Sequence, residues 1–399
     1  MSEALEAFSR LDINGDERLS SLELAADLAK RGCSDGAVMA ATAQMLCAPG
    51  ERTVSLWQFR NHHDAWAAGA PAPEPPEDQM RAIVAAVTAA AAEDPEAPKQ
   101  WTDPDFPPSQ ASLVRPGQGT PKKNSANRMR SDGLTWQRLS DMPPEDPDAP
   151  SPSLFGGADP SGETAYGDVI QGSHADCWLA CAMSLATLVT PAGSCIQQLF
   201  VNVPGAAAIG LYGVRLWQEG SWRTVLVDDH VPVTGEGAVA FSRNRDPSAR
   251  WVPVLQKAYA KRYGSYDALC GGNVAEALTE LTAGAVDALN IDGRGRSPED
   301  VWSFVSEGLD AGAVIGCTWS CPESEEKPEA KWGGLMMNHA YAIIDAFEVP
   351  QTNDLNEPVA PAQLVCVRNP LEKEGRGQWQ GDWADGEAKA QRPGGGGEA

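Results

Sequence analysis

From Gln171 onward the hydrophobic period keeps changing, and that irregularity limits the fold more than any other feature of the chain. Leu179, Ala182, Met183 and Ala186 recur at helical spacing, and Pro191 with Gly193 ends the run. Tyr212, Val214 and Leu216 then alternate, QEGS turns the chain, and Trp222, Thr224 and Leu226 alternate again, which predicts a hairpin. Trp251, Val254, Leu255, Ala258 and Tyr259 mark an amphipathic helix, and another follows Asp300 through Phe304 and Leu309. Three strand-like runs, AVIGCTW, AYAIIDAF and LVCVRNP, come last. Helices and strands mixed without a regular strand–helix repeat predict an α+β class.

Upstream the character differs. Residues 1–66 predict a small all-α domain, in which Leu5, Phe8 and Leu11 precede a loop and Leu22, Leu24 and Leu28 follow it. The loop, DINGDERLSSLE, sets Asp12, Asn14 and Asp16 at positions 1, 3 and 5, the Arg18 carbonyl at 7, Ser20 at 9 and Glu23 at 12. These are the oxygen ligands of a calcium ion in EF-hand order. Leu19 at position 8 is apolar, as a short strand pairing two such loops requires. Position 6, normally glycine, is Glu17; positive φ at a non-glycine residue costs on the order of 1 kcal/mol and should weaken binding. CAPGERTVSLWQF repeats the outline without the ligands: Cys47, Pro49, Glu51 and Gln58 fall at positions 1, 3, 5 and 12, and Val54 matches Leu19. The pair therefore reads as one calcium-binding and one degenerate EF-hand, against the alternative of a vestigial helix pair.

Residues 67–99 are a Pro/Ala-rich linker around a helical segment, RAIVAAVTAAAA. Pro, Gly, Ser and Asp also dominate from Asp103 to about Gly167, where isolated anchors such as Leu134, Trp136, Leu154 and Phe155 predict an extended segment laid across a folded body.

A formal net charge of −24, from 55 acidic against 31 basic residues, repels phosphate backbones and anionic lipid, so nucleic acid is not an expected partner. MSEALEAFSRLDINGD lacks the basic start and apolar run of a signal peptide, and no apolar stretch reaches eighteen residues, so no membrane span is expected and the chain reads as cytoplasmic. Nine irregularly spaced cysteines do not suggest a disulfide framework.

Two cysteines fall in QGSHADCWLACAMSL. Cys177 sits where a helix begins, and aligned peptide dipoles there favour a thiolate; Cys181, one turn inside, reads as a core residue. Taken alone, Cys177 fits a buried thiol as well as a nucleophile. A catalytic thiol needs a base. Of five histidines, His62 and His63 read as solvated, His174 as too near in sequence, and His230 as a turn residue. His339 starts one strand and Asn369 ends another thirty residues later, so adjacent strands can set the amide beside the imidazole as in a Cys-His-Asn set.

QGSHADCWLACAMSLATL resembles the calpain active-site helix, whose usual form is close to QGxxGDCWLLAAIASL. WTDPDFPPSQASL, LTWQRLSDM, GVRLWQEGSWRTVLVDDHVP, WVPVLQKAYAKRYGSYDALCGGNVAEALTELTAG, NHAYAIIDAFEV and RNPLEKEGRGQWQGDWAD continue the likeness in family order over residues 100–387. The resemblance implies a two-lobed papain-like core, with lobe 1 over residues 100–290 and a truncated lobe 2 over 291–399. It implies Cys177 as nucleophile, His339 as general base, Asn369 as the group orienting it, and Gln171 as an oxyanion donor beside the Cys177 N–H. The activity implied is that of a calcium-linked cysteine endopeptidase acting on protein substrates. The chain departs from the family at Ala175 and Asn338, where glycines are usual, and at Leu371, where tryptophan usually covers the His-Asn bond; Trp379 is a candidate replacement. Of the core calcium ligands that the resemblance implies, Asp168 and Asp385 are kept, while Ala249 and Gln378 replace acidic ones. These departures support a second expectation, a catalytically impaired calpain-like protein that binds a partner through its EF-hands in response to calcium. A transglutaminase-type transferase is a poorer match to the residues around the cysteine.

Overall fold

The computed structural model of the chain describes residues 18–20, 53–55, 76–94, 96–114, 133–142, 152–156, 165–189, 194–218, 221–291, 296–319, 333–353, 355, 357–371 and 377–384. Asp12, Asn14, Asp16, Glu23, His62, His63 and Asp385 lie outside these residues. Strand β1 (Arg18–Ser20) pairs antiparallel with β2 (Thr53–Ser55), with Leu19 opposite Val54.

Two compact units emerge. The smaller comprises Met1–Lys99, Val201–Ile209 and Gly213–Val225. Its helix α1 (Pro76–Glu93) covers the alanine-rich run expected to be helical. Met80 on α1 is wholly buried against Gly213, where a Cβ would come within 2.8 Å of the Met80 sulfur. Glu77 Oε1 accepts from Arg215 Nη2 at 2.7 Å, and Trp217 meets Trp222 edge-on at 5.6 Å.

The larger unit comprises Gln100–Phe200, Gly210–Tyr212 and Leu226–Ala399. It opens on the short helix α2 (Gln110–Leu113) and on β3 (Thr135–Arg138). It continues through β4 (Val169–Ile170), α3 (Cys177–Ala186) and α4 (Ser194–Leu199). Strands β5 (Phe200–Val201), β6 (Leu211–Gln218) and β7 (Ser221–Asp228), most of whose residues belong to the smaller unit, form a three-stranded sheet in that order, so the expected hairpin is present. Strand β8 (His230–Val233) pairs with β3, setting Arg138 opposite His230, and β9 (Arg243–Asn244) pairs with β4. Single bridges also join Ser153 and Phe155 to Ala249. The Pro/Gly-rich region therefore lies along folded elements at its anchors, as its pattern predicts.

Helix α3 is buried along its whole length after Cys177, which fits an element apolar on every side. Helix α5 (Trp251–Tyr263) departs from the amphipathic expectation: Trp251 through Ala260 are all buried, Gln256 and Lys257 included. Both polar side chains are satisfied inside. Gln256 donates to Asp176, and the Lys257 ammonium lies 2.5 Å from Asp228 Oδ1 and 2.6 Å from the His230 carbonyl. Burial alone drives the Asp228 carboxyl up, but the His230 and Lys257 contacts outweigh it and hold the group well below the usual carboxylate range.

After α6 (Val274–Thr282) comes α7 (Pro298–Asp310), which starts on a capping box between Ser297 and Asp300 with proline at its first turn. A second three-stranded sheet follows, in the order β10 (Ile315–Trp319), β11 (His339–Thr352), β12 (Pro358–Arg368). It is antiparallel throughout, with Trp319 opposite His339 and Ala342 opposite Arg368. Helix α3 packs on β10 and β11. The mixed helix-and-sheet architecture agrees with the α+β expectation.

Candidate active site

Cys177 is the first residue of α3. The peptide N–H groups of Cys177 and Trp178 stabilise a thiolate there, as expected of a helix start, yet they do not win. Burial pushes the thiol up from its ordinary value, the Ala340 N–H pulls it back, and the neighbouring Asp176 carboxylate pushes it up again. The influence of Ala340 also places the thiol: it meets the backbone immediately after His339, at the start of β11. Cys181, one turn on, is fully buried and its thiol is held far above the ordinary range by burial.

His339 is 5% exposed. Its Nε2 lies 2.7 Å from Asn369 Oδ1. An amide oxygen only accepts, so Nε2 carries the hydrogen and a neutral ring keeps its lone pair on Nδ1. The Asn369 amide cannot flip without loss. Oδ1 also accepts from the Leu371 N–H at 2.9 Å, and Nδ2 donates to the Gly377 carbonyl at 3.2 Å. Gly377 has φ 75°, and a Cβ there would fall 2.4 Å from Asn369 Nδ2, so both the backbone conformation and the close approach require glycine. Tyr341 completes this corner. Its ring stands edge-on to His339 at 5.0 Å, and its hydroxyl accepts from the Met336 N–H at 2.8 Å and donates to the Gly377 carbonyl at 3.3 Å.

Asn338, where a glycine was usual, adopts φ 50° and donates its N–H to the Trp319 carbonyl at 2.8 Å. Asparagine tolerates this left-handed region better than most residues. Trp379, the candidate replacement for the missing tryptophan, packs its ring on Gly333 and Gly381 and donates its indole N–H to the Asp382 carbonyl at 2.8 Å.

Gln171 is buried and precedes the cysteine loop. Its main-chain N–H donates to the Pro370 carbonyl at 2.8 Å, tying it to the residue after Asn369. Its Nε2 donates to the His174 carbonyl at 2.7 Å, while Oε1 is a buried atom with no partner among the described residues. The amide expected to serve an oxyanion thus has one hydrogen engaged on the loop. His174 is buried, with Nε2 2.7 Å from the Tyr266 carbonyl. The Ala175 carbonyl accepts from Gly271 at 3.0 Å, and the Trp178 indole donates to the Leu269 carbonyl at 2.9 Å, so the 269–271 loop is fastened to both sides of Cys177. Asp176 is wholly buried; burial pushes its carboxyl up against the influence of His174 and hydrogen bonds from Gln256 and Ser242.

For calcium in the core, the donor set is thin. Asp168 is pushed up by burial while its Oδ2 accepts from the Ala165 N–H at 2.8 Å, and Asp246 is bonded to Ser248. Among the described residues no group of three His, Cys, Asp or Glu side chains is placed to hold a metal ion.

The structure therefore brings Cys177, His339, Asn369 and Gln171 into one unit, with the imidazole bonded to the asparagine and the thiol at the residue next to it. A family model of the calpain family cysteine proteases matches residues 101–392. The chain belongs to the calpain family of cysteine proteases. Among the relatives of this calpain-family chain, the calpain-type cysteine protease DEK1 of Arabidopsis thaliana is 32% identical over 299 residues, covering 72% of this chain and 12% of that protein. The calpain-1 catalytic subunit of Rattus norvegicus is 28% identical over 292 residues, covering 71% and 36%. Calpain-8 of Homo sapiens is 28% identical over 295 residues, again 71% and 36%. The matched region is thus a small part of the plant relative and about a third of the animal ones.

Sequence reasoning passed over two residues at this calpain-type site, Tyr341 and Arg368. Tyr341 stands two positions after His339 on the same strand face, which is a usable signal. Arg368 directly precedes Asn369, but its partners are nearly two hundred residues away in sequence.

Proposed function

We propose that the chain is a cysteine endopeptidase that hydrolyses peptide bonds through Cys177, His339 and Asn369. The observation that carries this reading is the 2.7 Å bond between His339 and Asn369, which leaves Nδ1 as the basic nitrogen at the strand end where the Cys177 thiol lies. In this mechanism Nδ1 takes the thiol proton, and the thiolate attacks the substrate carbonyl carbon. The resulting oxyanion is received by the Cys177 N–H and the second Nε2 hydrogen of Gln171. The imidazolium then protonates the leaving amine, and water, activated by the same ring, hydrolyses the thioester. Asn369 holds the tautomer throughout. Burial of Cys177 makes the base indispensable, since a thiol pushed up by its surroundings ionises little by itself near neutrality.

The cleft would lie between a lobe carrying Cys177 (residues 100–290) and one carrying His339 and Asn369 (residues 291–399). Calcium belongs to the N-terminal segment in this reading, held by Asp12, Asn14, Asp16, Arg18, Ser20 and Glu23; the opposed Leu19 and Val54 support a paired EF-hand there. The hydrolytic steps of this mechanism run through Cys177, His339, Asn369 and Gln171. The second reading, a catalytically impaired calpain-like protein that engages a partner through its EF-hands, is favoured by one observation. The Gln171 amide already gives one hydrogen to the His174 carbonyl, so its nitrogen reaches an oxyanion only in the direction left to the other.

Hydrolysis of unfolded casein under reducing conditions, with calcium or with chelator and with Cys177→Ala as blank, tests the proposal. Cleavage is expected from the unaltered chain and none from the variant. Equal turnover by the variant removes Cys177 from the mechanism, and no cleavage by a folded, unaltered chain favours the impaired reading.

A further inference from the structure

Asn369 is bracketed. On one side Pro370 accepts from the Gln171 N–H at 2.8 Å; on the other, Arg368 sends Nη2 to the Val169 carbonyl at 2.5 Å and the Gly167 carbonyl at 3.2 Å. Residues 368–370 thus lie along residues 167–171, which lead into the cysteine loop. The other arm of the same guanidinium reaches α3, where Nη1 donates to Ser184 Oγ at 2.9 Å. Ser184 is seven residues, two turns, beyond Cys177 and so shares its helix face. That hydroxyl in turn donates to the Ala180 carbonyl at 2.9 Å, so its lone pair is aimed rather than free to rotate.

One side chain, carried by the last residue of the strand before Asn369, therefore touches both the segment leading to Gln171 and the helix of Cys177. A guanidinium suits this place because its rigid fork presents several donors at fixed angles and stays charged. A lysine would supply charge but no fork.

We propose that Arg368 is the positioning residue of the site: its guanidinium sets the His339–Asn369 pair against Cys177 and Gln171. The inference rests on the protease reading for its catalytic consequence, but not for its effect on the thiol. Loss of the fork lets the imidazole drift from the sulfur, and misplacement of about 1 Å costs on the order of a hundredfold in rate. Binding of substrate elsewhere in the cleft is untouched, so KM stays while kcat falls.

The experiment compares the full chain with Arg368→Met and Arg368→Lys, using two readouts besides thermal melting. The first is the pH dependence of Cys177 alkylation by iodoacetamide, which needs no substrate; the second is kcat and KM on casein-derived peptide. In folded Arg368→Met, the neutral-pH alkylation rate is expected to drop at least tenfold, with the profile displaced to higher pH toward that of His339→Ala, and kcat to drop about tenfold to a hundredfold at similar KM. Arg368→Lys is expected to restore stability without restoring the profile. An unchanged profile in a folded variant overturns the proposal, as does full recovery of both readouts by lysine. If Arg368→Met does not fold, Arg368→Lys with its alkylation profile decides alone. If the unaltered chain alkylates with a His339-dependent profile yet cleaves nothing, the protease reading fails while the positioning role is still judged on the thiol.

Discussion

A neutral imidazole has one hydrogen and two nitrogens, and at His339 the carboxamide of Asn369 decides which nitrogen keeps it. Asn369 is itself decided by the Leu371 N–H and the Gly377 carbonyl, so the orientation of the ring is handed to main chain through one intervening side chain. Against this, the Cys177 thiol stands above its ordinary value because it is buried beside Asp176. Without a base to take its proton, a thiol so placed is mostly protonated at pH 7 and ionises only as pH climbs past its ordinary value of about 8.5. His339→Ala is therefore expected to abolish iodoacetamide reactivity at pH 7 and leave one ionisation above about 8.5, whereas the unaltered chain reacts on a plateau extending to lower pH. Superimposable profiles for the two would detach His339 from Cys177.

At the scale of elements, the buried pair of α5 and the β7–β8 turn carries the largest single risk. Lys257 is 0% exposed, and Asp228 lies opposite it with His230 alongside. Asp228→Asn leaves an ammonium buried without its counter-charge, and a loss of about 3–5 kcal/mol is expected at pH 7 from urea unfolding. Because the folded carboxyl sits below its unfolded value of about 3.9, its contribution is complete above that pH and fades as pH falls through the folded value. The unaltered chain should thus lose stability below about pH 4, and the variant should lose less over the same interval; parallel losses would assign acid lability to other carboxylates.

Lys257 also marks where the sequence misleads. Helical spacing of Trp251, Val254, Leu255, Ala258 and Tyr259 assigns positions 256 and 257 to water, because periodicity cannot foresee a carboxylate delivered by another element. The strands and helices around the site were readable, since each carries its own period or cap, and so was the pairing of His339 with Asn369, since both stand at strand ends. Arg368 was not, because two of its acceptors are main-chain carbonyls, which leave no mark in the residue types. The raised Cys177 thiol was likewise hidden: the helix start is legible, but the burial that outweighs it belongs to the packed molecule.

Over the whole molecule, the acidic N-terminal loop and the cysteine protease region can be tested separately. In the proposed calcium reading Glu23 closes the loop as a bidentate ligand, so on Glu23→Gln the calorimetric calcium affinity of the full chain is expected to fall about tenfold or more. An unchanged titration would take DINGDERLSSLE out of the account. The protease region spans the chain far more widely. Gln171 rests on Pro370, and Asn369 rests on Gly377, so the parts that make the thiol reactive are separated by about two hundred residues of sequence. During synthesis, then, Cys177 emerges long before the residue that orients its base. A nascent chain held short of Gly377 lacks the carbonyl that fixes Asn369, so in the proposed mechanism the site assembles only after residues 369–377 have been made.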